Sequence, residues 1–168
     1  MPLDKSRLLD FLEVLDNEMS REITVVAVGG TAMTLLDLKP STIDIDFTIS
    51  GRDYDDFQKV LANLSHGFKV DVWPDGMVFS QALPDDYLEK SISIANFKHM
   101  YLKALHPVDI VVTKGCKLKG RELQDIEFCI QKYKLSKRQI EERANQVQYA
   151  GNQEIYQYNL QYVLDNFF

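Results

Sequence analysis

The chain has 168 residues, of which 45% are hydrophobic and 26% charged, and its formal net charge is −6. A chain of this length and composition buries one core without metals or disulfides, which excludes disordered, collagen-like and coiled-coil proteins. It has two cysteines, no N-terminal secretory pattern and no apolar run near the roughly 20 residues of a membrane helix, so we expect a cytoplasmic protein without membrane contact.

The first part of the chain predicts a helix, a strand and a second helix. Leucines at helical spacing predict an amphipathic helix over residues 5–20. Residues 23–28 are a β-branched run typical of a buried strand, and Gly29-Gly30 ends it. A short helix is then expected over residues 31–36.

The second strand has the clearest pattern. Polar and apolar residues alternate strictly over residues 42–50, which predicts a strand with one polar and one apolar face. The polar face carries Asp44 and Asp46. The apolar side chains, which we expect to pack inward together, are Ile43, Ile45, Phe47 and Ile49.

The rest of the chain is predicted to change from mixed helix and strand to helix alone. Ser50 and Asp53 mark the start of a helix with an apolar stripe that runs to Leu64. Strands are expected at residues 68–72 and 77–79, one helical turn opening at 84–86, and one more strand within 92–105. Beyond Pro107, helices are predicted over residues 107–118, 121–133, 136–149 and 153–167.

This order of elements predicts an α+β fold with a C-terminal helical tail. We expect an α/β core over residues 1–105. The helical region over residues 106–168 is expected to pack on that core, so that the chain forms a single domain.

Positive charge is concentrated late in the chain. Residues 1–99 carry 9 Lys and Arg against 17 Asp and Glu, whereas residues 100–168 carry 10 against 8, with the excess between Lys114 and Arg138. An acidic protein has little general attraction for duplex DNA. The basic segment is expected either to receive a triphosphate or one RNA end, or to be an ordinary solvated helix face.

The paired acids of the second strand indicate a metal site. Asp is depleted in strands, and Asp44 and Asp46 project from the same face with Cα atoms about 6–7 Å apart. Their oxygens can therefore converge on one divalent ion, or on a pair about 3.5–4 Å apart, and Mg²⁺ prefers such carboxylates together with water and phosphate oxygens. The alternative is two solvated carboxylates on a wet sheet face.

The glycine turn indicates a phosphate site. Gly29 and Gly30 allow the backbone to bring its N–H groups close to a ligand, and the helix that follows adds partial positive charge. Thr31 offers a hydroxyl at the start of that helix. A plain tight turn is the alternative explanation.

A third acid, Asp71, lies between apolar residues in the strand predicted at 68–72. If this strand lies beside the second strand, Asp71 joins the other two carboxylates around the metals. There it would take the proton from an acceptor hydroxyl or hold the ion that activates it. The alternative is a surface acid on an edge strand.

These residues together resemble a known family. Gly29-Gly30, the segment Lys39-Pro40-Ser41-Thr42-Ile43-Asp44-Ile45-Asp46 and the later Asp71 are similar to the nucleotidyltransferase fold that includes DNA polymerase β. The closer resemblance is to minimal single-domain prokaryotic nucleotidyltransferases, many of which are toxins of toxin–antitoxin pairs. The later residues similar to their helical Lys–Arg–Asp pattern are Pro107-Val108-Asp109, Lys114, Arg121 and Asp125.

The resemblance implies a mixed sheet flanked by helices and a role for each acid. In the family the two D-x-D aspartates bind the metals, which assigns that role to Asp44 and Asp46. A third carboxylate assists the acceptor, and this role falls on Asp71. The implied cofactor is Mg²⁺ or Mn²⁺.

The resemblance also implies the substrates. The glycine turn of the family holds the triphosphate, which places Gly29, Gly30 and Thr31 at the nucleotide, and a later lysine, here Lys114, contacts substrate. The implied reaction moves a nucleoside monophosphate from an NTP to an acceptor hydroxyl on RNA or protein. The implied biological setting is a toxin–antitoxin pair.

Two other functions compete with this one. Residues 44–48 also fit D-x-D-x-T, the first motif of haloacid dehalogenase-like phosphatases, but that motif should end the first strand of a Rossmann-like sheet. The second competitor is a catalytically degenerate nucleotidyltransferase fold that binds nucleotide or protein.

The C-terminal helix carries more aromatic surface than one helix usually shows to water. We expect it either to pack back on the domain or to contact an antitoxin or a second copy in a homodimer. Its large apolar residues are Ile155, Tyr156, Tyr158, Tyr162, Val163, Leu164, Phe167 and Phe168.

Overall fold

The computed structural model describes residues 2–115 and 117–168. The helices are α1 (Lys5–Asn17), α2 (Gly29–Leu35), α3 (Gly51–Asn63), α4 (Tyr87–Lys90), α5 (Pro107–Lys114), α6 (Gly120–Tyr133), α7 (Lys137–Gln146) and α8 (Gln153–Phe167). The strands are β1 (Ile23–Ala27), β2 (Ile45–Ile49), β3 (Val70–Pro74), β4 (Met77–Val78), β5 (Gln81–Ala82), β6 (Ile92–Asn96), β7 (Met100–Ala104) and β8 (Gln148–Tyr149).

A mixed sheet of five strands organises the molecule. Its strand order is β3-β2-β1-β7-β6, with β2 parallel to β3, β1 parallel to β7, and antiparallel pairs at β1–β2 and β6–β7. A small second sheet has the order β4-β5-β8. Mixed sheets with helices packed against them are typical of α+β folds, and the predicted fold class is confirmed.

The two faces of the main sheet differ in character. One face carries the apolar side chains of alternate residues, and there Phe47 of β2 meets Phe57 of α3 edge to face with ring centroids 6.0 Å apart. The register pairs Asp46 with Asp71, Thr48 with Trp73 and Val26 with Thr48, so these side chains share the opposite face. Asp46 and Asp71 therefore lie on the face opposite Phe47, together with the buried side chains of Val26 and Thr48.

The second strand is shorter than predicted, and its apolar face was overestimated. The prediction ran over residues 42–50, whereas β2 covers Ile45–Ile49. Ile43 is 56% exposed, so the expectation that all four apolar side chains pack inward is wrong. The reason is local: Thr42 pairs with Leu3 in an isolated bridge, and its hydroxyl donates to the Asp44 carbonyl at 2.8 Å, which bends the chain before the strand begins.

The region predicted to hold one strand within 92–105 holds two. β6 and β7 form an antiparallel pair, and the Asp16 carboxylate of α1 accepts N–H groups from Lys98, His99 and Met100 at 2.7–3.0 Å. This carboxylate fixes the turn between the strands. Because Asp16 lies far away in the chain, the local pattern of residues 92–105 does not reveal the turn.

Four further elements have boundaries that differ from prediction. The short helix after β1 begins at Gly29 rather than at residue 31, and β3 covers Val70–Pro74 rather than 68–72. The helix predicted over 136–149 ends at Gln146, because residues 148–149 form β8 and pair with β5. The helix predicted over 107–118 ends at Lys114, and the remainder of that prediction includes position 116, outside the described residues.

The helices after Pro107 contribute to the same core cluster as the sheet. The cluster joins Val25 and Phe47 of the sheet to Ile110 of α5, Ile126 of α6 and Val163 of α8. Within the described ranges, no helix combines the length and the apolar character needed to span a membrane.

Candidate active site

Two acidic side chains lie side by side on neighbouring strands. Asp46 of β2 is paired in register with Asp71 of β3, and paired strands lie about 4.8 Å apart. Asp46 is 8% exposed, whereas the Asp71 side chain is 43% exposed and its Oδ2 lies 3.8 Å from the Lys69 ammonium. β3 therefore lies beside β2, which is the arrangement on which the expected role of Asp71 depends.

Asp44 approaches the same place from the bend before β2. It is exposed and lies outside the strand, and its carbonyl accepts hydrogen bonds from the hydroxyls of Thr31 at 3.1 Å and Thr42 at 2.8 Å. The prediction placed Asp44 within the strand, on one face with Asp46. The structure instead fixes its position through two hydroxyl contacts to its carbonyl.

The buried position of Asp46 is electrostatically unfavourable for a carboxylate. The pKa of Asp46 is raised to about 7, chiefly by burial and also by the neighbouring carboxylates of Asp71 and Asp44, while the Lys69 and Lys114 ammonium groups act in the opposite direction. Like charges and a low local dielectric both disfavour the ionised form. The site therefore favours any added positive charge that approaches these acids.

The glycine turn lies against Asp46. Gly29 has φ of +55°, a conformation that favours glycine. A Cβ at Gly29 would lie 3.7 Å from Asp46 Oδ2 and 3.4 Å from Phe79 Cζ, and a Cβ at Gly30 would lie 3.1 Å from the Thr42 hydroxyl oxygen. The absence of side chains at Gly29 and Gly30 keeps this end of the site open.

Thr31 contacts the backbone of both Asp44 and Asp46. It is fully buried, and its hydroxyl donates to the Asp44 carbonyl at 3.1 Å while accepting the Asp46 N–H at 3.0 Å. Its polar atom is therefore used by the backbone that carries the two aspartates. The structure assigns Thr31 a positioning role, which differs from the nucleotide contact expected from the sequence.

A cleft of about 430 Å³ collects most of the predicted site residues. The predicted residues along its wall are Gly29, Gly30, Asp44, Asp46 and Lys114. Residues of the wall to which the sequence analysis assigned no role include Lys39, Thr42, Phe79, Arg121 and Asp125. All of these except Phe79 lie in the two segments that carry the family resemblance, so the signal was present there, whereas nothing in the sequence marks Phe79.

The lining of the cleft also includes the cations Lys39, Lys114 and Arg121, which we call the basic wall, and we call Asp44 and Asp46 the acidic wall. Lys114 of α5 and Lys39 both direct their ammonium groups to Asp125 of α6, with N–O distances of 3.0 and 3.4 Å. Arg121, on the first turn of α6, lines the same wall. Asp125 lies 86 residues from Lys39, so this wall forms only when α6 packs beside the loop after α2.

A family model described as "Nucleotidyltransferase of unknown function (DUF6036)" matches residues 6–166. The chain belongs to this family. No curated protein and no solved structure matches it. The predicted resemblance to a minimal nucleotidyltransferase is thereby confirmed.

The sheet of this nucleotidyltransferase also bears on the phosphatase alternative. A D-x-D-x-T phosphatase needs its motif at the end of the first strand of a Rossmann-like sheet. Here residues 44–48 run from the bend into the second strand, and that strand is antiparallel to β1. The phosphatase alternative therefore does not fit this fold.

The acids of the cleft fit a metal site that water and substrate phosphates complete, rather than one formed by protein side chains alone. In the part of the chain that the structure describes, no three Asp, Glu, His or Cys side chains are arranged to hold a metal ion by themselves. Mg²⁺ is commonly bound by one or two carboxylates, with water and substrate phosphates as its other ligands. Asp44 and Asp46 meet that need, and the crowding of negative charge around buried Asp46 supports a cation there.

Proposed function

We propose that this protein transfers a nucleoside monophosphate from an NTP to an acceptor hydroxyl on RNA or protein, with Mg²⁺ or Mn²⁺ as cofactor. One observation carries the proposal: the acidic wall, the basic wall and the glycine turn all line one cleft. A polyphosphate accompanied by a divalent cation matches that distribution of charge.

The acidic wall would hold the cation. Asp44 and Asp46 supply carboxylate oxygens, and Asp46 is ionised at neutral pH more readily when positive charge is near. When bound, the divalent cation would neutralise phosphate charge and orient the reacting groups. Thr31 keeps both aspartates in place through its two hydrogen bonds to their backbone.

The basic wall and the glycine turn would hold the triphosphate. Lys39, Lys114 and Arg121 supply three positive charges against the two carboxylates of Asp125 and Glu122 in the same lining, so this part of the cleft keeps a net positive charge. Gly29 and Gly30 leave room for phosphate oxygens to approach the backbone. Donors fixed in this way stabilise charge that develops on the transferring group without reorganising during the reaction.

Asp71 would serve the acceptor. Its side chain is half exposed beside Asp46, so it can take the proton of an acceptor hydroxyl. The hydroxyl oxygen forms a bond to the α-phosphorus, and the bond from that phosphorus to the bridging oxygen breaks. Pyrophosphate leaves with that electron pair.

Incubation with NTPs labelled in the α-phosphate, Mg²⁺ or Mn²⁺, and total RNA or the purified protein itself tests this proposal. We expect incorporation of label by the natural protein and a loss of at least 100-fold in Asp44→Asn and Asp46→Asn, since each removes a charge of the acidic wall. Asp55→Asn is the matched control, because Asp55 is exposed on α3. Nucleotide binding without incorporation would instead favour the degenerate binding module.

The toxin role and the α8 contact stay predictions. Several large side chains of α8 are exposed, including Ile155 at 52%, Tyr158 at 72% and Tyr162 at 42%, whereas Tyr156 and Val163 pack inward. The inward residues agree with packing of α8 on the domain. The outward residues leave a surface that an antitoxin or a second copy would cover.

A further inference from the structure

We propose that Phe79 is the surface on which the nucleobase of the NTP stacks, an inference that rests on the proposed function. Phe79 lies between β4 and β5 and lines the cleft beside Gly29 and Asp46. Among the cleft-lining residues that the structure describes, it is the one aromatic side chain, and it is 43% exposed.

The backbone holds Phe79 in an uncommon conformation. Its φ is +55°, and bulky residues rarely adopt this left-handed region because the side chain meets the backbone. The turn is anchored on both sides, since Gly76 N–H donates to the Thr48 hydroxyl at 2.9 Å and Ala150 N–H donates to the Ser80 carbonyl at 2.9 Å. Such strain persists where the surrounding structure fixes it, and it is concentrated at ligand sites.

The ring of Phe79 packs against another aromatic ring. Trp73 of β3 meets it edge to face, with centroids 5.1 Å apart and planes at 61°. The tip of the ring packs against Gly29, where a Cβ would lie 3.4 Å from Phe79 Cζ. Trp73 and Gly29 thus fix the position of the ring at the edge of the cleft.

A nucleobase is the part of an NTP that fits such a ring. The charged side chains of the cleft lining suit phosphate and metal, and its other apolar side chains, Pro2, Pro40 and Ile43, carry no aromatic ring. A base presents a flat apolar face, and its stacking on an aromatic side chain is tolerant of base identity. We therefore expect Phe79 to contribute affinity for all four NTPs rather than to select one.

Calorimetric titration with an NTP and with inorganic tripolyphosphate, each with Mg²⁺, separates base from phosphate binding. We expect Phe79→Leu to weaken NTP binding by about tenfold and to leave tripolyphosphate binding within about twofold, because the phosphates do not touch the ring. Phe79→Tyr, which keeps the aromatic face, should bind NTP like the natural protein. Circular dichroism reports whether each variant keeps the fold, since the emission of Trp73, which contacts the Phe79 ring, changes with the substitution itself.

Two results would overturn the inference alone. One is equal affinity of the natural protein for NTP and tripolyphosphate, and the other is an equal loss of both ligands in Phe79→Leu. Neither result affects label incorporation that depends on Asp46. A natural protein that binds neither ligand and incorporates no label would overturn the proposed function, and the inference with it.

Discussion

At the scale of single residues, the site contains two energetically unfavourable features, a buried carboxylate and a left-handed backbone conformation. Asp46 is buried among carboxylates, and Phe79 adopts a left-handed backbone. Thr31 offsets part of this cost with two hydrogen bonds to the backbone of the aspartates. Strain and buried charge of this kind favour ligand binding at the expense of stability.

The raised pKa of Asp46 predicts a pH dependence of stability in the protein without divalent cations. The folded state binds the Asp46 proton more tightly than the unfolded state does, so stability falls as pH rises from 3.8, the ordinary aspartate pKa, through about 7, the pKa of Asp46 in the folded protein. Between pH 5 and pH 8 this group should cost on the order of 2 kcal/mol, and Asp46→Asn should remove that cost. Urea unfolding with chelator at both pH values measures it. Identical pH dependence in Asp46→Asn and the natural protein would contradict the assignment.

Thr31 makes a separate prediction. Thr31→Val keeps the shape but leaves the buried Asp46 N–H without its acceptor, and such a loss costs about 1–3 kcal/mol of unfolding free energy. Nucleotide incorporation should fall as well, since the positions of both aspartates depend on this hydroxyl. Thr31→Ser, which restores the hydroxyl, should recover both properties. Failure of Thr31→Ser to recover them would show that the methyl packing, not the hydroxyl, is the important feature.

At the scale of elements, polar contacts over long distances in the chain decide how helices and strands are placed. Arg143 of α7 binds both oxygens of Asp109 in α5, at 2.5 and 2.9 Å, and also contacts Asp86 at 2.7 Å. Arg143 and Asp109 are 4% and 0% exposed. This pair joins α7 to α5, and α5 carries Lys114 of the basic wall.

Breaking one partner of this buried pair should be costly. Arg143→Met leaves the Asp109 carboxylate without its buried partner and should lower the free energy of unfolding by about 3–5 kcal/mol. Arg138→Met is the matched control, because Arg138 pairs with Glu142 on the exposed surface of the same helix, where the loss of an ion pair changes stability little. Urea unfolding measures both. Equal effects of the two variants would contradict a structural role for the buried pair.

At the scale of the whole molecule, local patterns predicted the elements, and distant contacts determined their boundaries. The alternation around Asp46 and the glycines at the start of α2 predicted the acids and the glycine turn, because both depend on neighbours in the chain. The turn between β6 and β7 depends on Asp16, and the basic wall depends on Asp125. No pattern within either segment contains that information.

The account of the whole molecule makes one central claim, that the two walls of the cleft act together to transfer a nucleotide. Parallel reactions with NTP labelled in the α-phosphate and in the γ-phosphate test it most directly. We predict that the α-label enters the acceptor and the γ-label leaves as pyrophosphate, and that Asp46→Asn and Lys114→Ala each reduce α-label incorporation. Release of the γ-label as inorganic phosphate, with no α-label in any acceptor, would contradict the claim.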